Sequence, residues 1–120
     1  MQKINLAECF GRITEHWRPR IVAELNGQVV RLVKVRGEFV WHRHEREDEL
    51  FYVVRGQLRI DFRDGPVTLA PGEMLVVPRG VEHRPVAAEE CELLLFEPAE
   101  VRNTGEVEHP TLTAPRDARL

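Results

Sequence analysis

Between Ile21 and Pro98 the apolar residues fall in short runs, each closed by turn-forming residues. Ile21–Leu25 ends at Asn26-Gly27, Val29–Val35 at Arg36-Gly37, and Phe39–His44 at the polar cluster Glu45–Asp48. Glu49–Val54 ends at Arg55-Gly56, Leu58–Phe62 at Asp64-Gly65, and Val67–Leu69 at Pro71-Gly72. Met74–Val77 ends at Pro78-Arg79-Gly80, His83–Ala87 at Glu89-Glu90, and Cys91–Glu97 at Pro98. Asn-Gly and Asp-Gly supply the positive φ that tight hairpin turns require. The pattern predicts nine short strands with a turn signal every 6–12 residues, which argues for an all-β sandwich or barrel rather than βαβ units. Within Gln57–Arg63 the alternation puts Leu58, Ile60 and Phe62 on one face and Arg59, Asp61 and Arg63 on the other, the period of a strand with one face buried.

The flanks read differently. Residues 1–20 form an N-terminal arm or short helix. For a helix over 5–13, Asn5 is the N-cap with Glu8 three residues on, as in a capping box, and Ile4, Leu6 and Phe10 would face the barrel. An irregular arm is the equal alternative. After Pro98 the chain turns polar, with Asn103-Thr104-Gly105, Pro110 and Pro115. Residues 99–120 read as an extended C-terminal arm, partly ordered and frayed at its end. The organisation is thus an arm, a barrel over 21–98, and a second arm.

The 120 residues fit one domain, long enough to bury a core without disulfides. A formal net charge of −3 draws the chain neither to nucleic acid nor to an anionic membrane, and no apolar run approaches the length of a bilayer. The sequence contains no serine, which excludes a serine nucleophile. Cys9 and Cys91 lack metal-type spacing. The N-terminus carries Lys3, Glu8 and Arg12 and no signal-peptide stretch, so the expected compartment is the cytoplasm, with reduced thiols.

The candidate chemistry lies in the histidines. His42 and His44 are two apart on an expected strand, so both rings share a face, spaced about 6.5 Å along the chain. Glu49 opens the next strand across the polar turn, and His83 opens a strand after Pro78–Gly80. Barrel closure can bring all four to one interior point. Three imidazoles and a carboxylate form a nitrogen/oxygen set suited to a single divalent transition ion: Fe, Mn, Co, Ni, Cu or Zn. Phe51 and Val53 share the parity of Glu49, which makes the surrounding lumen apolar. Trp41 shares the parity of Arg43 and packs outside. His16 and His109 fit no pattern and read as surface residues.

The run Gly37-Glu38-Phe39-Val40-Trp41-His42-Arg43-His44, continuing through Glu49 to Gly56, resembles the first motif of the cupin family. Gly72-Glu73-Met74-Leu75-Val76-Val77-Pro78-Arg79-Gly80-Val81-Glu82-His83 resembles the second, after a spacer of fifteen residues. Four residues separate Gly37 from His42, where the strict motif has five, and Ala87 stands where the second motif usually has asparagine. The resemblance implies a cupin double-stranded β-helix (a jelly-roll barrel) with metal ligands at His42, His44, Glu49 and His83. It implies three functional classes. One is an oxidative, dioxygenase-like metalloenzyme on a small organic substrate. Another is a sugar or phosphosugar isomerase or epimerase similar to the metal domain of mannose-6-phosphate isomerase, for which Arg31, Lys34, Arg36 and Glu97 are candidates by type alone. The last is a non-catalytic small-molecule or metal-binding module. It also implies a homodimer, with segment 13–25 as the pairing edge.

Overall fold

The computed structural model describes residues 1–120. A short helix, α1 (Leu6–Gly11), precedes seven strands: β1 (Arg20–Leu25), β2 (Gln28–Glu38), β3 (Glu49–Arg55), β4 (Leu58–Phe62), β5 (Gly65–Leu69), β6 (Met74–Val77) and β7 (His83–Pro98). Seven strands replace the nine expected for two reasons. Residues 39–44 alternate as a strand should, but they pair with a neighbour only through one bridge, His42 with His83. The expected strands 83–87 and 91–97 are one 16-residue strand, in which Glu89 and Glu90 are exposed rather than a chain-reversing turn.

The fold is an antiparallel jelly roll closed by β7. The C-terminal half of β7 lies between β2 and β3 in a sheet ordered β1-β2-β7-β3-β6, while its N-terminal half pairs with β4, which pairs in turn with β5. Register shifts at Val35/Gly37 and Val53/Arg55 let β7 bend from one layer to the other, as bulges do. Alternation then fixes the interior. Val33 and Val35, Phe51 and Val53, Leu58 and Ile60 all point inward to one buried cluster. Ala87 belongs to that cluster, so an apolar methyl fills the position of the missing asparagine.

Asn5 caps α1, its Oδ1 accepting from Glu8 N at 2.9 Å. Phe10 is buried, whereas Ile4 is exposed. Cys9 and Ile13 join Phe10 and Leu32 in a second small cluster under the helix. The C-terminal arm packs against the barrel. Val101, Thr104 and Ala114 are buried, and the last residue donates from Leu120 N to Ile21 O at 3.2 Å. Ile21 N donates in turn to Ala118 O at 2.8 Å. Residues 118–120 therefore occupy part of the β1 edge that the sequence offers to a second copy. No helix is long and apolar enough to cross a membrane.

Candidate metal site

Three chain segments build the site. His42 and His44 stand on the link between β2 and β3, Glu49 opens β3, and His83 opens β7. The link is held without a ladder. His42 N donates to His83 O at 3.0 Å, and His83 N returns the bond to His42 O at 2.9 Å. Gly80 N donates to His44 O at 2.8 Å, and Arg79 N donates to Asp48 Oδ1 at 2.8 Å. The turn Pro78–Gly80 is thus fastened to the histidine link at two points, and Asp48, read from sequence as a solvated turn residue, is one of the fasteners.

All four predicted side chains are buried. They offer one ligand atom each, and those atoms lie within 4.8 Å of one another. The His42 and His44 ring centroids are 5.0 Å apart, and those of the bridge partners His42 and His83 are 4.4 Å apart. His42 Nδ1 donates to Val40 O and His83 Nδ1 to Val81 O, each at 2.9 Å. These bonds fix the tautomer and leave each Nε2 as a bare lone pair. His83 Nε2 stands 3.6 Å and His44 Nε2 3.4 Å from Glu49 Oε1, and none of these three atoms has a hydrogen-bond partner. Buried polar atoms turned toward one another cost about 1–3 kcal/mol each when unsatisfied. A cation between them removes that cost, so the donor set fits a metal ion.

The electrostatics agree. Burial, followed by the neighbouring His83 ring, lowers the His42 pKa to about 3, so its lone pair is free at neutral pH. Burial alone would push the Glu49 carboxyl up, but contacts with Glu97, His44 and His83 reverse this and hold it well below the usual range. Glu97 moves the other way: burial and the Glu49 charge raise it well above the ordinary value, against the pull of Arg31. Cys91 is no nucleophile, since burial pushes its thiol up to about 12.

Two features around the site were beyond the motif. Glu97 is buried against Glu49 and ion-paired with buried Arg31 at 2.7 Å. Arg31 is therefore not free to clamp a phosphate. Lys34 and Arg36 alternate outward from Val33 and Val35 on β2 and do not reach the lumen. Above His42 the cavity is roofed by Trp17, which stacks on Phe39 at 4.5 Å, while Phe39 meets the His42 ring edge-on at 5.3 Å. Trp17 has φ +62°, rare for a bulky side chain. It is held there by Trp17 N donating to Lys34 O at 2.8 Å and by its indole donating to Arg36 O at 2.9 Å. Trp41 packs outside the lumen, with the Arg63 guanidinium 3.8 Å from its ring centroid. His16 pairs with Glu90 at the surface, and His109 accepts from Leu112 N at 3.0 Å within the C-terminal arm.

These shifts predict the acid–base behaviour of the metal-free protein. His42, depressed from 6.5 to about 3, contributes stability that is lost as pH falls below 6.5. Glu49, depressed from 4.5, contributes stability lost as pH falls below that value. Glu97, raised from 4.5, contributes stability lost as pH rises above it. Between 4.5 and 6.5 the His42 and Glu97 slopes oppose each other. Urea melts in a chelator are expected to show a plateau in that window, falling steeply below it and gently above it. A maximum well above pH 8 would contradict these assignments.

A cupin domain family profile matches residues 29–97, and the chain belongs to that family. A cupin-2 domain containing protein from Shewanella frigidimarina, known from its crystal structure, is 52% identical and superposes with a TM-score of 0.78, with 79% of this chain and 93% of that one covered. A structurally determined protein from Neisseria meningitidis is 39% identical, with a TM-score of 0.75, over 81% of this chain and 99% of its own. The uncharacterized protein YdbB of Bacillus subtilis is 37% identical over 81 residues, which are 67% of this chain and 72% of YdbB.

Proposed function

We propose that this cupin is a small cytoplasmic metalloenzyme of the oxidative, dioxygenase-like type, holding one divalent transition ion on His42, His44, Glu49 and His83. The observation that carries this reading is the pairing of a convergent, partnerless donor set with an otherwise apolar cavity. The cavity is walled by Val33, Val35, Phe51, Leu93 and Leu95, and no lysine or arginine lines it. The one neutral amide there, Asn103, is spent on Leu112 O and Ala114 N. Arg43, Arg46, Arg102 and Arg116 line a separate cleft on the His44 side; within the apolar cavity a phosphosugar would find neither a cation for its phosphate nor partners for its hydroxyls. That disfavours the isomerase reading, because unpaired polar groups in such a site are costly.

A redox-active ion bound here would supply electrons for dioxygen chemistry on a small, largely apolar substrate. The chain's own residues do the rest. The Nδ1 bonds of His42 and His83 aim their rings, Glu49 supplies negative charge, and the Trp17–Phe39 roof excludes water, which strengthens every electrostatic interaction beneath it. The test is oxygen uptake by iron-, manganese-, nickel- and zinc-loaded protein against a panel of small enolisable ketones and carboxylates. Uptake matched to substrate loss supports the proposal. Turnover that persists under argon points to isomerisation, and tight binding without turnover to a binding module; either result overturns it.

The homodimer is part of the same proposal. Met74 and Val76 on edge strand β6 are the exposed apolar side chains it would bury. Sedimentation equilibrium should give twice the 13.9 kDa chain mass, and a Met74→Glu, Val76→Glu double variant should sediment as a monomer. A wild-type monomer at micromolar concentration would refute this part.

A further inference from the structure

Arg31 breaks the pattern of its strand. Its neighbours on the inner face of β2, Val29, Val33 and Val35, are apolar, yet Arg31 is as buried as they are, at 3% exposure. One guanidinium makes three contacts: Nη1 to Glu97 Oε1 at 2.7 Å, and Nη2 to Ala99 O at 3.0 Å and Arg116 O at 2.7 Å. A buried ion pair of this kind yields little net stability compared with two well-packed apolar residues, so stability alone does not explain it. Its geometry does. The Glu97 carboxyl is fixed by Arg31 on one side; the register that pairs Leu50 with Phe96 sets it beside Glu49, equally buried, on the other, and its second oxygen, Oε2, has no donor of its own. The Arg31 donors that do not serve Glu97 gather two carbonyls of the C-terminal arm.

The arm touches the site elsewhere as well. Asn103 lines the cavity. Gly105 lies so close to the Arg43 carbonyl that a Cβ there would collide with it, which places the arm directly on the link carrying His42 and His44.

We propose that Arg31 and Glu97 are positioning residues for the Glu49 carboxylate, and that through them the ordering of residues 99–120 is coupled to occupancy of the metal site. The inference rests on the metal reading given above. An ion that fixes Glu49 favours the Glu97 geometry that Arg31 supports, and Arg31 in turn holds the arm. By linkage, an ordered arm raises metal affinity by the same factor as the ion favours the ordered arm.

The test uses the full chain. Cobalt(II) is titrated and followed by visible absorption, and hydrogen exchange of segment 99–120 is compared between metal-free and zinc-loaded protein. In the wild type, zinc should slow exchange across the segment by about tenfold, within the usual range of coupling between sites. Glu97→Leu should weaken cobalt binding about 10- to 100-fold, the effect expected from changing an outer partner that positions a ligand. It should also shift the cobalt absorption band and abolish zinc protection of the arm. Glu97→Gln keeps the side chain's shape and an acceptor for Arg31, and should restore all three readouts to within a few-fold of wild type. If Glu97→Leu does not fold, Glu97→Asp, which retracts the carboxyl by one methylene, is read in the same way. A purely structural role would lower the melting temperature but leave the cobalt band and the zinc protection intact, and that result overturns the inference while leaving the metal reading in place. Wild-type protein that binds no cobalt overturns both.

Discussion

Substituting His83 by alanine is expected to abolish high-affinity metal binding while the barrel stays folded. The backbone exchange between residues 42 and 83, at 2.9 and 3.0 Å, involves no side chain and survives the substitution. So does the ladder that pairs Phe62 with residue 83. What is lost is a fully buried imidazole whose Nε2 has no other use in the structure. Changing an outer partner of a metal ligand typically costs 10- to 100-fold in affinity, so removing a ligand should cost more than about 100-fold. His42→Ala should behave alike. Calorimetric titration with zinc or cobalt, paired with a far-ultraviolet dichroism spectrum, reads both parts at once. Wild-type affinity in a folded His83→Ala protein would exclude that residue from the site.

The second large effect is expected at Gly56. Its φ is +87°, and a Cβ added there would stand 2.8 Å from Glu90 O and 3.0 Å from Cys91 Cα. Both are backbone atoms of β7 near its bend, and neither can swing aside as a side-chain tip could. The left-handed conformation alone costs a non-glycine residue about 1–2 kcal/mol, and displacing a central strand adds to that. Gly56→Ala should therefore destabilise the protein by about 3 kcal/mol, a fall in Tm on the order of 10 °C. Gly72 is the control. It has φ +85° but open space where its Cβ would go, so Gly72→Ala should lose only about 1–2 kcal/mol. Equal melting temperatures for the two variants would show that the approach to β7 carries no weight.

The convergence of His42, His44, Glu49 and His83 was legible in the sequence because their residue types and offsets are unusual together. The inward parity of Phe51, Val53, Leu58 and Ile60 was legible because strand alternation is strict where one face is buried. The errors have physical causes. Residues 39–44 carry the period of a strand, but period alone does not provide a continuous hydrogen-bonding neighbour, and the link forms one β-bridge, His42 with His83. Glu89-Glu90 reads as a turn because two adjacent carboxylates favour solvent, and the long strand satisfies them by exposing both. The C-terminal arm has no periodicity to read. Its order comes from contacts across the whole chain, such as Leu120 to Ile21 and Arg31 to Arg116.

The Arg31–Glu97 pair escaped the motif for a related reason. An arginine on an otherwise valine-lined strand face reads as an exposed residue or a ligand clamp, because a charged side chain is seldom buried unless paired. Its partner stands 66 residues away, on a strand whose register the sequence does not display. Trp17 is similar. No local pattern announces a tryptophan in the left-handed region, and its place over the cavity depends on two carbonyls of β2.

The claim on which the rest depends is that one ion is shared by His42, His44, Glu49 and His83. X-ray absorption fine structure of zinc-loaded protein tests it most directly. The account predicts a first shell of nitrogen and oxygen at about 2.0–2.2 Å, with the outer-shell scattering of three imidazole rings and no sulfur. A spectrum with one imidazole or none, or with a sulfur ligand from Cys9 or Cys91, would contradict it.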